Sequence, residues 1–194
     1  MSEALADTQR QRLADCGVPL SWGTNLAGFS PPAIIIANEF FDAWPVAQWT
    51  MTDTGWKERG VSLDAEGRLC FAALDGKPPP EALTATIGAA QPGTIIESQR
   101  PRPFVDAMRA LARRGPVAAL IIDYGYTAPA EGDTLQAVRG HRYESPLTSP
   151  GEADLSSHVN FFELAVMAHA AGLALDGPVT QTEFLGALGV VERA

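Results

Sequence analysis

Three consecutive isoleucines, Ile34, Ile35 and Ile36, run straight into Ala37-Asn38-Glu39-Phe40-Phe41-Asp42-Ala43-Trp44-Pro45. An unbroken β-branched run suits a strand covered on both faces, the habit of parallel sheets. In an open α/β sheet, ligands bind outside the carboxyl ends of the strands, so Asn38, Glu39 and Asp42 are expected at a crevice rim. A second apolar run, Val117 to Ile122, ends in Asp123-Tyr124-Gly125-Tyr126 and puts Asp123 on the same rim. Two readings stay open. Asn38 and Asp42 cap a turn above Phe40, Phe41 and Trp44, or these polar groups orient a ligand. Asp123 either orients a cation, serves as a base, or caps the following loop; Gly125 is expected to supply a turn.

The rest of the chain reads as one α/β domain over residues 1–194. Residues 2–15 form a weakly amphipathic helix, and Ser30-Pro31-Pro32 feeds the isoleucine strand. After Pro45, Val46–Met51, Trp56–Val61 and Leu69–Ala72 are strand-like runs separated by Asp53-Thr54-Gly55 and Ala65-Glu66-Gly67. They predict an antiparallel β insertion within 46–92. Residues 75–93 read as a mobile loop with a short helix, and Ile95-Ile96-Glu97 resumes strand character. Phe104, Met108 and Leu111 recur at helical spacing until Gly115-Pro116. Asn160 with Glu163, and Thr180 with Glu183, have the spacing of capping boxes.

Composition narrows the function classes. A chain of 194 residues, 46% hydrophobic, can bury one sizeable core. A net charge of −9 argues against a nucleic-acid surface, which needs clustered Lys and Arg to neutralise phosphate; it suits a basic substrate, and solubility alone explains it about as well. Cys16 and Cys70 show neither disulfide-framework nor zinc spacing. No apolar run approaches the roughly 20 residues of a membrane helix, and the start lacks a signal pattern, so a cytoplasmic address is the expectation. Arg139-Gly140-His141 and the pair Asp154 and His158 invite a metal reading, but Asp154 precedes the expected helix cap and shares no helical face with His158. No metal site is expected, and His169 reads as a surface or satisfied core histidine.

Several segments together carry a resemblance. Asn38-Glu39-Phe40-Phe41-Asp42-Ala43-Trp44-Pro45-Val46, Ile96-Glu97-Ser98, Ile122-Asp123-Tyr124-Gly125-Tyr126, Arg139-Gly140-His141, Pro150 to Phe161, and Gly177-Pro178-Val179-Thr180-Gln181 are similar, in order, to the signature segments of the MidA family. The resemblance covers nearly the whole chain from Trp22 to Leu188. It implies a partial Rossmann-like class I methyltransferase fold with S-adenosyl-L-methionine (SAM) as methyl donor and a protein arginine as acceptor. It also implies a protein substrate, a respiratory complex I subunit or its bacterial counterpart being one candidate; a homodimer is open as well.

On that resemblance Glu39 and Asp42 localise the guanidinium charge and accept its proton, Asn38 orients the acceptor, and Asp123 supports them. The adenine pocket is expected near Trp22, Gly23, Thr24 and Asn25, with Trp22 either stacking on adenine or packing in the core. The chain departs from the family in having no G-x-G-x-G turn and no ribose-binding carboxylate before its first helix, in Asn160 where the family has Asp, and in both ends. The expectation is a fragment or a decayed relative that binds SAM weakly or not at all. The alternative is a non-catalytic protein-binding domain derived from a methyltransferase. A hydrolase built on Asp123, His141 or His158 ranks last, since no G-x-S-x-G elbow is present.

Overall fold

The computed structural model describes residues 3–85, 87–128, 130–191 and 193. The isoleucine run forms β1 (Ala33–Asn38) and the second apolar run forms β6 (Val117–Ile122). They pair in parallel from Ala33 opposite Val117 to Asn38 opposite Ile122, so their carboxyl ends coincide. Coverage on both faces does not follow. Ile34 is 81% and Ile36 68% exposed, while Ala37 is buried; alternation turns one face of β1 inward and leaves the other open. The pair stands as a two-stranded sheet, and among the described residues no helix closes that outer face.

The antiparallel insertion is present and larger than the sequence suggests. β2 (Ala47–Thr52), β3 (Gly55–Leu63) and β4 (Leu69–Leu74) form a meander. β5 (Ile95–Ser98) then joins it by pairing antiparallel with β2, giving the order β4-β3-β2-β5. Ile95 to Glu97 therefore complete the insertion sheet and do not extend the parallel one. Trp49 lies opposite Ile96, each 1% exposed, and Leu83 packs on both. Leu83 comes from α2 (Glu81–Thr84), and the Trp49 indole Nε1 donates to the Lys77 carbonyl at 2.8 Å. The stretch expected to be mobile is held at these two points.

α3 (Arg102–Ala112) buries Met108 and Leu111 of the predicted stripe, but its third buried residue is Val105 and not Phe104, which is partly buried towards the rim. α1 (Glu3–Arg12) stops short of residue 15, and residues 20–22 form no strand. β7 (Gly125–Tyr126) follows β6 and pairs in parallel with β11 (Val159–Asn160). Gly125 thus lies in a strand and not in a turn. A Cβ there would meet the Val159 carbonyl oxygen at 2.0 Å, so glycine is required for close backbone approach.

β8 (Gln136–Arg139), β9 (Arg142–Glu144) and β10 (Asp154–Ser156) form a three-stranded antiparallel sheet that the sequence reading did not anticipate. Gly140 and His141, both at positive φ, make the two-residue turn of its hairpin, as primed turns demand. α4 (Phe161–Ala170) is capped by Asn160, whose side chain accepts from the Glu163 N–H at 2.9 Å. The reciprocal half of that box is missing because Glu163 turns to Ser98. The box before α5 (Gln181–Ala187) is complete. No described helix is long and apolar enough to cross a membrane.

Candidate functional site at the carboxyl ends of the parallel strands

The rim is built from three segments: the loop after β1, the end of β6, and the residues between β10 and α4. Glu39 leaves β1 with a left-handed backbone, φ 44°, a conformation costly for a residue with a Cβ. Its N–H still reaches across to the Ile122 carbonyl at 2.9 Å. The turn lets the next three N–H groups converge. Those of Phe40, Phe41 and Asp42 all donate to Asp123 Oδ2, at 3.1, 3.0 and 3.2 Å, while the Tyr124 N–H donates to Asp123 Oδ1 at 2.9 Å.

Asp123 is therefore the anchor of the preceding rim loop. The sequence left it open between a ligand group and a cap for the following loop; the structure turns its carboxylate to the backbone of residues 40–42. Burial pushes its carboxyl pKa up, the backbone donors pull it down, and the nearby Asp42 charge raises it again. Beneath the loop, Phe41 is 1% exposed and meets Phe104 edge-on at 4.9 Å between centroids, with Phe40 and Trp44 flanking it.

Asp42 is engaged differently. Its backbone carbonyl accepts from the Ser157 N–H at 2.9 Å, and its Oδ2 accepts from the Tyr124 hydroxyl at 2.7 Å. Its other oxygen, Oδ1, is buried and has no partner, an arrangement that leaves a costly acceptor unsatisfied. Asn38 and Glu39 carry exposed side chains on the same rim. The structure thus gathers Asn38, Glu39, Asp42 and Asp123 at one edge.

The Trp22 to Asn25 segment is not part of that gathering. The Trp22 indole Nε1 donates to Gln9 on α1 at 2.8 Å, and the Arg10 guanidinium sits 5.2 Å from its ring centre. Asn25 Oδ1 accepts from the Ala27 N–H within its own turn, and a Cβ at Gly23 would meet nothing nearer than 3.8 Å. Arg114, just before the amino end of β6, donates to the Ala27 carbonyl, the end of the sheet opposite the rim. Trp22 is half-buried on α1, neither in the core nor facing the rim loop. As arranged, the indole N–H and one indole face of Trp22 and the side-chain oxygen of Asn25 do not fit a pocket for SAM, being already engaged.

A second polar cluster lies deeper, and the sequence reading assigned it no role. Glu97 accepts from Gln48 Nε2 at 2.6 Å and from the Thr134 N–H and hydroxyl. The Ser98 hydroxyl donates to Glu163 at 2.8 Å, and Gln99 bonds Ser157 and the backbone of Asn160. Glu97, Ser98, Gln99, Ser157, Asn160 and Glu163 are all buried. Burial raises the Glu163 pKa, against the Ser98 hydroxyl and the charge of Arg100. It raises that of Tyr126 strongly, helped by the charges of Glu97 and Glu163. The signal available in sequence was polar Glu97-Ser98 directly after apolar Ile95-Ile96. Tyr124 was likewise legible only as a neighbour of Asp123. Among the described residues no group of three or more His, Cys, Asp or Glu is placed to hold a metal ion; Asp154 lies in β10, and His158 packs on the Tyr124 ring.

Parallel strands ending in an acid-lined rim, beside an antiparallel insertion, define a class I methyltransferase-like α/β protein. Two solved structures from Burkholderia thailandensis share this architecture. One matches with TM-score 0.77 at 28% identity, covering 97% of this chain and 53% of that one. The other, described as a "likely methyl transferase" bound to S-adenosyl-homocysteine, matches with TM-score 0.76 at 26% identity, covering 99% and 52%. Residues 1–179 match the family described as "Putative S-adenosyl-L-methionine-dependent methyltransferase", and the chain belongs to that family.

Among relatives, the mitochondrial protein arginine methyltransferase NDUFAF7 of Danio rerio is 33% identical over 193 residues, 91% of this chain and 42% of that protein. Its Mus musculus counterpart is 34% identical over 190 residues, with 91% and 40% covered. The chain spans about two-fifths of the length of these curated relatives.

Proposed function

We propose that this protein serves SAM-dependent methylation of a protein arginine, with the rim loop as the acceptor side of the site. The observation that carries this reading is the gathering of Asn38, Glu39 and Asp42 on a rim loop pinned by Asp123. A guanidinium presents several N–H donors and a delocalised positive charge, which an edge carrying carboxylates would bind. SAM supplies the methyl group in this family. For a guanidinium nitrogen to accept a methyl group it must give up one proton, and the Glu39 and Asp42 carboxylates are the rim groups that take it. Glu39 adds negative charge at the exposed edge, and Asn38 can accept or donate to turn the planar guanidinium. Asp123 acts through the backbone by holding Asp42 in place. The relatives named protein arginine methyltransferases support a protein substrate, and the net charge of −9 suits a basic segment. A complex I subunit as that substrate, a homodimeric assembly and a cytoplasmic address belong to this proposal as further expectations.

The test is incorporation of labelled methyl from SAM into a blocked arginine peptide by the chain, alongside calorimetric titration of the same peptide. Wild type should bind the arginine peptide and not its citrulline counterpart, and Asp42→Asn should lower incorporation about a hundredfold. Selective binding without any incorporation would favour the non-catalytic, protein-binding reading. Equal binding of the two peptides would remove the arginine assignment.

A further inference from the structure

We propose that the outer face and free edge of the β1–β6 sheet are a docking surface for a second polypeptide of α/β type, one that adds a parallel strand beside β1 and lays a helix over Ile34, Ile36 and Leu120. The proposal concerns assembly and stands apart from the chemistry assigned to Asp42.

The face is apolar along its length. Parallel register sets Ile34 beside Ala118 and Ile36 beside Leu120, all four are exposed, and neither strand contains a charged residue. At the amino end of the sheet an open groove of about 430 Å³ continues the face, lined by Pro32, Ala33, Ile34, Pro116, Val117 and Ala118. The edge is open as well. The N–H groups of Ala33 and Glu39 donate across to the Pro116 and Ile122 carbonyls. Alternation along the strand turns those of Ile34, Ile36 and Asn38 the other way, where among the described residues no strand accepts them, since β1 pairs with β6 alone.

Exposed apolar side chains also lie on the insertion sheet, at Val61 and Leu63, but an antiparallel sheet can keep one face in water. Parallel sheets occur with both faces covered, because crossover helices lie on them. A parallel pair with an open face is therefore short of a layer, and the occupant is defined by what that layer must supply. A second copy fits poorly: face to face it brings the same four side chains, far fewer than the roughly 20–30 residues a side of a stable interface, and it leaves the edge unpaired. An α/β polypeptide satisfies edge and face together. The two Burkholderia structures contain polypeptide beyond the shared architecture, since this chain covers 53% and 52% of them. β1 runs out at Asn38, so a polypeptide laid along it also reaches the rim.

The probe is the part of the S-adenosyl-homocysteine-bound Burkholderia protein outside the shared region, co-expressed with the whole chain and recovered through a tag on the chain. Amide hydrogen exchange on the chain alone and on the complex is the second measurement. Wild type should retain the probe one to one, and the Ile34 and Ile36 amides, fast in the chain alone, should slow about tenfold or more in the complex. Ile34→Glu with Ile36→Glu should weaken retention about a hundredfold, with the melting temperature of the chain within about 2 °C because both side chains already meet water. Val61→Glu with Leu63→Glu, on the insertion sheet, should leave retention unchanged. A folded wild-type chain that retains no probe, or an equal loss from both pairs of substitutions, would overturn the proposal. So would a chain that dimerises by itself in light scattering with the Ile34 and Ile36 amides already slow, a result that gives the face to a second copy. None of these readouts uses an arginine peptide, so they separate failure of this surface from failure of the acceptor reading.

Discussion

The rim loop and the buried cluster beside α4 are both rich in carboxylates, yet they use them in opposite ways. In the buried cluster Glu97 and Glu163 are paired by side-chain donors from Gln48, Thr134 and Ser98, so the cost of burial is offset by hydrogen bonds that join β2, β5 and α4. At the rim, Asp123 is saturated by backbone N–H groups, whereas its neighbour Asp42 keeps one buried oxygen unpaired. Satisfied buried polar groups hold a structure together; an unsatisfied one beside a rigid support points to a missing partner. That contrast favours the deeper cluster as architecture and supports the proposal of a site at the rim; the other buried oxygen without a partner among the described residues, Glu144 Oε1, lies on β9.

The sharpest way to break this distinction is Asp123→Ala. Four backbone N–H groups would lose their acceptor, and the substitution should cost about 3 kcal/mol by denaturant unfolding. It should also abolish arginine-peptide binding, because Asp42 is no longer held. A smaller loss, about 2 kcal/mol, is expected for Glu97→Ala, which strands donors from Gln48 and Thr134. Peptide binding by the folded fraction should be unchanged; a binding defect there would move the site inward.

Glu163→Gln probes the same cluster through pH. Because the folded pKa of Glu163 is raised above its unfolded value, its contribution to stability is fully present below the unfolded pKa. It is lost as pH rises through the folded value. The stability difference between wild type and Glu163→Gln should therefore shift against wild type from the ordinary carboxyl range towards neutrality; a flat difference across that window would contradict the burial argument. The smallest effect on stability is expected for Asp42→Asn, within about 0.5 kcal/mol of wild type, together with loss of arginine selectivity. A large destabilisation by Asp42→Asn would reclassify Asp42 as architecture.

Much of this organisation was legible in the chain. Ile34 to Ile36 and Val117 to Ile122 announced two strands, and their parallel pairing placed Asn38 and Asp123 at a common edge. The stripe of Met108 and Leu111, the caps Asn160 and Thr180, and the antiparallel meander were equally readable, since each depends on spacing within about a dozen residues. Three things were not. The outward turn of Ile34 and Ile36 depends on which neighbours exist to cover them. The recruitment of β5 by β2 joins residues separated by 45 positions (Thr50 and Ile95) to 51 positions (Ala47 and Ser98), with no local mark of their pairing. β8 to β10 are too short to show a period.

The sequence alone thus determined the two parallel strands and the meander, the helix caps, and which family the chain resembles, because periodicity and capping are properties of near neighbours. Only the tertiary structure decided what each carboxylate does. Phe40 and Asp123 lie 83 residues apart, and whether an aspartate spends its lone pairs on backbone N–H groups or keeps one for a ligand depends on donors that the fold delivers from distant segments.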